Sequence, residues 1–316
     1  MLPLAREVFD FSYPDEAATA EHAKAIIVAA FPQFRSMDVV FLDEGYDFKI
    51  FEVEARWLFR FPKREESVAK LNREHQLLPG LGKSVPLPVP TYELFGESNE
   101  RPGWPFAGYK KLPGIPGDQS KAVDPSLVAR QIGRFLDALH AFPIDRVREA
   151  GVVEKHDLVA HWRDRAFGEL GRIVGVDEDL RGVRDHLKND APVPFEGIST
   201  LVHNDLWAEH ILISPQSGGV SGVIDWGDSV IGDPAVDFAG LYTWFGKRWV
   251  EHALAYCSRS LGTEGIARAR HLATCLVIHT IALGQEILYT DWVRKGRTAL
   301  RLIFATYAAV RYRYRP

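Results

Sequence analysis

The sequence predicts an α+β protein of two lobes, with a small β-rich lobe over residues 1–108 and a larger, mainly helical lobe over residues 109–316. Three observations support this prediction. The chain has 316 residues, which is more than one compact core usually needs. Segments rich in β-branched and aromatic residues are concentrated in the first third, whereas helical periodicity dominates after residue 125. A short linker is expected near Tyr109–Leu112, and the character of the sequence changes after the segment KLPGIPG, residues 111–117.

The first lobe contains four segments that favour strands and one that favours a helix. The strand segments are MDVVFL (37–42), DFKIFEVEARWLFRFP (47–62), TYELFG (91–96) and WPFAGYKKL (104–112). The second of these predicts a hairpin that turns near Glu54 and Ala55. Residues 64–78, REESVAKLNREHQLL, place Val68, Leu71 and Leu78 at helical spacing. The lobe is therefore expected to be a small sheet with a helix inserted after the hairpin.

The second lobe is predicted to be helical, apart from one strand-and-loop region. Residues 125–141 place Val128, Ile132, Phe135 and Leu139 on one helical face. Helical patterns also cover residues 156–175 and 177–188, and they return from about Ala235 to the end. Residues 200–225 favour strands and loops. Because a cleft between two lobes is a common ligand site, we expect the functional residues to lie there.

Composition limits the classes of function. Of the residues, 46% are hydrophobic and 25% are charged, which is typical of a folded protein. The formal net charge is −4 and no basic stripe is visible, so no nucleic-acid partner is expected. A mild acidic excess is compatible with a cationic substrate.

Redox state and location can also be predicted. Cys257 and Cys275 lie in apolar, helix-like surroundings and are expected to be free thiols. The initial segment MLPLAREVFDF does not resemble a secretory signal, and the apolar stretch LATCLVIHTIALG (272–284) is too short to span a bilayer. We therefore expect a cytoplasmic protein without a membrane partner, as a monomer or weak dimer.

The segment LVHNDLWAEHILI, residues 201–213, contains the first chemical motif. Phosphoryl transfer needs a carboxylate that orients the attacking hydroxyl and accepts its proton, and Asp205 fits this task. His203 is expected to position the loop through hydrogen bonds. His210 stands five residues after Asp205, where a kinase-type loop carries a metal-binding asparagine.

A second motif follows at a distance of twenty residues. In GVIDWGDSVIGDPAVDFAGL (222–241), an apolar strand ends at Asp225, and such a carboxylate is a good oxygen ligand for magnesium. Asp233 is expected to cap a helix. Asp237 could hydrogen-bond the catalytic loop or contact a substrate.

The small lobe offers residues for binding phosphate. Arg60 stands in WLFRFP and Glu74 in the following helix, so they could form an ion pair that steers the phosphates of a nucleotide. Lys49 and Lys63 are alternative cations. Gly45, in DEGYDF, lies where a nucleotide loop would fold.

These segments together resemble the aminoglycoside phosphotransferase family, antibiotic kinases with a protein-kinase-like two-lobe fold. The resemblance extends from EGYDFKIFEVEARWLFRFP to VIDWGDSVIGDPAVDFAGL, and its specific parts are the motifs around Asp205 and Asp225. It implies that Asp205 is the catalytic aspartate and that Asp225 is the principal magnesium ligand. His210 matches the second metal ligand, and the aminoglycoside 2″-phosphotransferase and macrolide 2′-phosphotransferase branches also have histidine there. Both branches are associated with GTP. Arg60 departs from the family, in which most members keep lysine.

The resemblance implies a magnesium-dependent transfer of the γ-phosphoryl group of ATP or GTP to a hydroxyl of an aminoglycoside. The nucleotide would contact the linker at Tyr109, Lys110 and Leu112 through backbone groups. Carboxylates that could bind the cationic substrate are Asp237, Glu286 and Asp291. The alternatives are a macrolide kinase, with an aromatic cavity formed in part by Tyr242, Trp244 and Phe245, a metabolite kinase, and a nucleotide-binding pseudokinase.

Overall fold

The N-terminal lobe is a twisted antiparallel sheet covered on one face by a helix. The computed structural model describes residues 19–174, 178–259 and 261–304. Helix α1 (Ala20–Ala30) precedes five strands in the order β1-β2-β3-β5-β4. The strands are β1 (Val39–Glu44), β2 (Phe48–Val53), β3 (Trp57–Pro62), β4 (Leu94–Glu97) and β5 (Pro105–Lys110). Helix α2 (Glu65–Leu81) lies between β3 and β4 in the chain.

The hairpin of β2 and β3 turns at the predicted place. Glu54 and Ala55 have φ angles of 54° and 53°, which is the geometry of a two-residue turn that matches the twist of the strands. This register places Phe51 opposite Phe59. Both rings are fully buried, and they pack with Phe61 and Phe106 beneath α1. The opposite face of β3 carries Arg60 toward the second lobe.

The C-terminal lobe is mainly helical, as predicted. Its helices are α3 (Pro125–His140), α4 (Ile144–Glu149), α5 (Leu158–Leu170), α6 (Glu178–Asn189), α7 (Val236–Phe245), α8 (Lys247–Leu254), α9 (Gly262–Glu286) and α10 (Thr290–Phe304). Two small sheets carry the motif region. One contains β6 (Ile115–Pro116), β8 (Ile211–Ile213) and β9 (Val220–Val223), and the other contains β7 (Thr200–Val202) and β10 (Val230–Gly232). The predicted α+β class with a β-rich first lobe is confirmed.

The first sheet extends past residue 108, the expected end of the first lobe. Strand β5 continues to Lys110, so Tyr109 still belongs to the first sheet, where it pairs with Leu58 of β3. One hydrophobic cluster runs across this boundary, because Leu71 and Tyr109 of the first lobe pack with side chains of the second. The two lobes therefore share one hydrophobic core.

Helix α9 is longer than the apolar stretch considered in the sequence. Its 25 residues are long and apolar enough, by length and composition alone, to cross a membrane. In its most apolar window, however, 56% is buried, and α9 packs against α5, α7 and α10. A core helix passes the same test, so the finding is weak evidence for a membrane span. Cys257 and Cys275 are free thiols as expected, and the initial segment MLPLAREVFDF lies outside the described residues.

Helix α7 approaches the loop that contains Asp205 so closely that only glycine fits at one position. A Cβ atom on Gly240 would overlap the carbonyl oxygen of Leu206 and would lie 3.3 Å from the amide nitrogen of Trp207. The contact is with backbone rather than with a flexible side chain. The absence of a side chain at Gly240 therefore sets the distance between α7 and the loop.

We expect Gly240→Ala to destabilise the protein by about 1–3 kcal/mol, because either α7 or the loop must move. Gly168→Ala is the matched control, since Gly168 lies in α5 with nothing within 4 Å of the added Cβ. This control should gain about 0.5–1 kcal/mol from helix propensity. Denaturant unfolding of both variants measures the difference, and an equal response would contradict the role given to Gly240.

Candidate active site

A buried carboxylate holds the loop of residues 203–210 in place. Asp237, in the first turn of α7, is fully buried. Its Oδ1 accepts a hydrogen bond from the amide of Asn204 (2.9 Å), and its Oδ2 accepts hydrogen bonds from the amide of His203 (3.2 Å) and from Nε2 of His140 (2.9 Å). A carboxylate enclosed in this way cannot contact a substrate. The structure therefore corrects the placement of Asp237 among the substrate candidates and supports the alternative that it braces the loop.

His203 connects the loop to the end of β9. Its Nε2 lies 3.0 Å from the carbonyl oxygen of Ile224, to which it donates, and its Nδ1 accepts from the amide of Asp205 at 3.3 Å. Burial lowers the pKa of His203 to about 4, so the ring is neutral near pH 7 and can both donate and accept. Since Ile224 immediately precedes Asp225, this one ring holds both motif aspartates in register. His203 thus positions the site without facing the cleft.

The structure brings Asp205, His210 and Asp225 together, although they come from two separate segments. Nδ1 of His210 lies 3.4 Å from Oδ2 of Asp205, and Nε2 lies 3.6 Å from Oδ2 of Asp225. One ligand atom from each residue lies within 4.8 Å of the other two, so the group could hold a metal ion. The side chains of Asp205 and Asp225 are 29% and 47% exposed, which leaves them open to the cleft.

The backbone of the loop determines how His210 is presented. Nδ1 of His210 lies 2.7 Å from the carbonyl oxygen of Asp205 and donates a hydrogen bond to it. In the neutral imidazole, this leaves Nε2, the nitrogen nearer to Asp225, able to offer its lone pair to a cation. Histidine ligands of metals are commonly oriented in this way by a hydrogen bond from the other ring nitrogen.

The charges of the cluster depend on one another. Burial, together with Asp225, raises the pKa of Asp205 to about 7. Burial alone would lower the pKa of His210, but the carboxylates of Asp205 and Asp225 outweigh it and raise the pKa. For Asp225, burial acts to raise the pKa, but Arg60 and His210 outweigh this effect and lower it. Asp225 is therefore an anion, as a ligand of a hard cation must be.

Arg60 links the two lobes at this cluster. Its Nη1 donates to Oε2 of Glu74 at 2.7 Å, and its Nη2 donates to Oδ1 of Asp225 at 3.2 Å. Arg60 and Glu74 are almost completely buried, with 5% and 2% exposure. The hydroxyl of Tyr92 lies within hydrogen-bonding distance of both. The position of Tyr92 before β4 gave no signal in the sequence.

A second ion pair between the lobes was also absent from the sequence-based prediction. Nζ of Lys70 bonds to Oδ2 of Asp47 at 2.7 Å and to Oδ1 of Asp228 at 2.8 Å. Lys70 lies one helical turn before Glu74 on α2, and this spacing could have indicated that both face the same cleft. Lys70 therefore connects the turn between β1 and β2 with the segment that follows Asp225.

The residues predicted to bind nucleotide differ in exposure and in their contacts. Gly45 lies in the turn between β1 and β2, and its carbonyl accepts from Nζ of Lys63 at 3.1 Å. Tyr109 is buried in β5, whereas the Lys110 side chain is exposed and pairs with Glu93 at 2.9 Å. Leu112 packs against Gly222 of β9. The backbone contact of Lys110 with a nucleotide, which the resemblance implies, stays a prediction.

The surface around Asp118 and Asp291 carries charges of both signs rather than only acidic groups. Asp291 pairs with Arg294 at 2.5 Å and with Lys295 at 3.1 Å, and Lys295 also bonds to Asp118 at 3.0 Å. Glu286 is exposed at the end of α9. Asp118 is near the loop, because the amide of the adjacent Gly117 donates to the carbonyl of Ala208 at 2.9 Å. Lys295 therefore partly neutralises Asp118 and Asp291.

The three aromatic residues that were predicted to form part of a macrolide cavity differ in exposure. Tyr242 is fully buried, which removes it from any cavity for a substrate. Trp244 and Phe245 are half-buried and stacked, with ring centroids 4.3 Å apart. The Trp244 ring lies against Gly117 and hence beside the loop.

Comparison with known proteins gives a consistent result. The model of the family described as "Phosphotransferase enzyme family" matches residues 38–272, which include both motif segments. Among solved structures, the GDP and kanamycin complex of APH(2″)-IIIa has a TM-score of 0.70 and 27% identity, and the match covers 89% of this chain and 98% of that one.

Two curated relatives align over most or half of the chain. The uncharacterised protein YcbJ of Bacillus subtilis (strain 168) is 24% identical over 278 residues, which are 84% of this chain and 89% of YcbJ. Viomycin phosphotransferase of Streptomyces vinaceus is 28% identical over 186 residues, which are 56% of this chain and 63% of that protein.

Asp237→Asn tests the bracing of the loop. We expect a loss of about 1–3 kcal/mol of unfolding free energy, because the amide NH₂ would face backbone or imidazole donors instead of accepting from them. Asp145→Asn is the control, since the Asp145 side chain is 88% exposed on α4. The substitution should change the free energy of unfolding by less than about 0.5 kcal/mol. Urea unfolding measures both, and an unchanged Asp237→Asn protein would contradict the assignment.

Proposed function

Because this chain belongs to the phosphotransferase enzyme family, and is thus a nucleotide-dependent phosphotransferase, we propose that it transfers the γ-phosphoryl group of ATP or GTP to a hydroxyl of an aminoglycoside. The observation that carries the proposal is the meeting of Asp205, His210 and Asp225 with Arg60 at the cleft between the lobes. A proton acceptor, a cation site and a phosphate-binding cation lie there side by side. These are the parts that phosphoryl transfer requires.

Asp205 orients the acceptor hydroxyl and takes its proton. The carboxylate is held by a loop that is braced at both ends, through Asp237 and His203. As a carboxylate, Asp205 can accept the proton of a hydroxyl that lies within hydrogen-bonding reach. Positioning dominates this reaction, so the rigidity of the loop is part of the proposal.

Asp225 and His210 would hold Mg²⁺. The donor set fits a divalent cation, since it combines an anionic carboxylate with an imidazole whose Nε2 is left free by the hydrogen bond from Nδ1. A bound Mg²⁺ supplies neutralisation of the negative charge that the phosphates carry. Imidazole is a less usual ligand for magnesium than oxygen, which gives the site a property that can be measured.

Arg60 would contact the phosphates, and Glu74 would hold Arg60. Burial alone would lower the pKa of Arg60, but Glu74 and other neighbours outweigh it and raise the pKa well above its usual value, so the guanidinium remains charged. The nucleotide would lie beneath the turn that contains Gly45 and against Tyr109, Lys110 and Leu112. Side chains in this segment do not distinguish ATP from GTP, so both belong to the proposal.

The acceptor would lie on the α7 and α10 side of Asp205. The match to the GDP and kanamycin complex of APH(2″)-IIIa extends over 89% of this chain and supports an aminoglycoside. Glu286 and Asp291 remain the proposed contacts for substrate amines, with Asp291 shared with Lys295. A macrolide, viomycin or a metabolite as acceptor is an alternative outcome of the test. We further propose a cytoplasmic enzyme that acts as a monomer or weak dimer without nucleic acid.

The test is a screen of the purified protein. Aminoglycosides, macrolides and viomycin are each supplied with ATP or GTP and Mg²⁺, and nucleoside diphosphate release is measured together with the mass of the acceptor. A gain of one phosphate on an aminoglycoside is the expected result. Nucleotide binding without transfer to any acceptor would indicate a pseudokinase and would overturn the proposal.

Asp205→Asn should lower kcat by about 10²–10⁴-fold, because the amide cannot accept the proton. The change is nearly isosteric, so the melting temperature should stay within a few degrees of that of the wild type. Glu209→Gln is the control, since Glu209 is an exposed carboxylate in the same loop. An Asp205→Asn enzyme with the turnover of the wild type would refute the assignment.

His210→Asn tests the metal site. Nitrogen ligands favour Mn²⁺ over Mg²⁺ more than amide oxygen does. Replacement of the imidazole should therefore reduce the preference of the site for Mn²⁺ over Mg²⁺. We expect the ratio of the Mg²⁺ to the Mn²⁺ activation constant to fall several-fold in the variant. The measurement is a titration of activity with each ion. If the two ratios are equal, His210 does not ligate the ion.

A further inference from the structure

The ion pair between Arg60 and Glu74 has an unusual geometry. An arginine and a carboxylate usually form two parallel hydrogen bonds, one to each oxygen. Here the carboxylate of Glu74 accepts from Arg60 through Oε2 only, at 2.7 Å. The other oxygen, Oε1, is buried and has no hydrogen-bond partner among the described residues. Nε of Arg60 is likewise buried and has no partner among them. The two parallel hydrogen bonds are therefore not formed, although a buried oxygen and a buried nitrogen of the pair are both unpartnered in the described part of the chain.

The hydroxyl of Tyr92 bonds to both members of this ion pair, which explains its geometry. Its hydroxyl accepts a hydrogen bond from Nη1 of Arg60 at 2.7 Å and donates one to Oε2 of Glu74 at 2.6 Å. The three groups form a closed ring of hydrogen bonds that uses both protons of Nη1. Burial raises the pKa of Tyr92 well above its usual value, so the phenol keeps the proton that it donates.

The remaining nitrogen of the guanidinium is directed to the other lobe. With Nη1 held by Glu74 and Tyr92, Nη2 lies 3.2 Å from Asp225. The ring of Phe48 lies 3.9 Å from the central carbon of the guanidinium and restrains it from a second direction. Arg60 is thus held in one rotational state, in which Nη2 faces the segment where the phosphates and the metal ion would be bound.

We propose that Tyr92 is a positioning residue that keeps Arg60 from closing onto Glu74 and so keeps Nη2 available to the nucleotide. The inference rests on the proposed function of this site. Without the hydroxyl, Nη1 loses one acceptor and Oε2 loses one donor. The guanidinium can then turn and engage both oxygens of Glu74, since Oε1 is unpartnered. Nη2 would be withdrawn from the phosphates, while the ion pair itself would survive.

The role proposed for Tyr92 depends on an arginine at position 60. A lysine at this position has one nitrogen and cannot form a fork with Glu74. The function of Tyr92 is therefore specific to arginine. In a chain with Arg60→Lys, loss of the hydroxyl should have little consequence for nucleotide binding.

A double-mutant cycle tests this dependence. The dissociation constants of MgATP and MgGTP are measured calorimetrically for the wild type, Tyr92→Phe, Arg60→Lys and the double variant. Tyr92→Phe should weaken nucleotide binding about tenfold when arginine is present, as expected for one hydrogen bond to a charged group. In the Arg60→Lys background, the same change should stay within about twofold. The KM of the acceptor should not change, because the ion pair lies on the nucleotide side.

Tyr242→Phe is the matched control, since it removes a buried phenol hydroxyl with no partner among the described residues and lies outside the cleft. It should leave the nucleotide affinity unchanged. Equal effects of Tyr92→Phe in both backgrounds, no effect in either, or a Tyr92→Phe chain that fails to fold would each overturn the inference.

The cycle also separates this inference from the proposed function. A wild type that binds nucleotide but phosphorylates no acceptor overturns the proposed function and leaves the cycle valid, because the cycle measures nucleotide affinity. A wild type that binds no nucleotide overturns both. A wild type that binds and transfers, with no coupling in the cycle, overturns only the assignment of Tyr92.

Discussion

The interaction on which the site depends is the buried charge of Arg60 between the two lobes. A guanidinium with 5% exposure is stable only where its hydrogen bonds are satisfied by anions or strong acceptors. Glu74 of the first lobe and Asp225 of the second provide those anions. The same buried charge therefore affects both the contact between the lobes and the position of Asp225. The bridge from Lys70 to Asp47 and Asp228 reinforces the same contact nearer to solvent.

The loop of residues 203–210 depends on a second buried anion, Asp237. A continuous set of hydrogen bonds runs from His140 through Asp237 and His203 to Ile224. It ties α3, α7 and β9 to the loop and leaves the loop little freedom. Asn204 and Asp225 adopt φ angles of 66° and 64°, a region that asparagine and aspartate tolerate better than most residues. Their short polar side chains therefore serve the backbone turn as well as the chemistry.

The sequence predicted the fold and the motif aspartates for identifiable reasons. The hairpin of β2 and β3, helix α2 and helix α3 each have a strong local period, and the turn at Glu54 and Ala55 lies where it was expected. Helix α1 was not predicted, although it buries the aromatic face of the sheet. The short strands β6 and β10 have two and three residues, which is too few to show a period.

Residue types and their order in the chain were enough to select Asp205, His210, Asp225, Arg60 and Glu74, because phosphoryl transfer requires few chemical groups. The sequence by itself thus determined the class of fold, the family and the chemistry that the cleft can support. Only the tertiary structure decided which groups meet. Burial removed Asp237 from the substrate side, and contacts between distant segments placed Tyr92 beside Arg60 and Lys70 between Asp47 and Asp228. Hydrogen bonds between side chains far apart in sequence have no local period or spacing, so they arise only when the chain has packed.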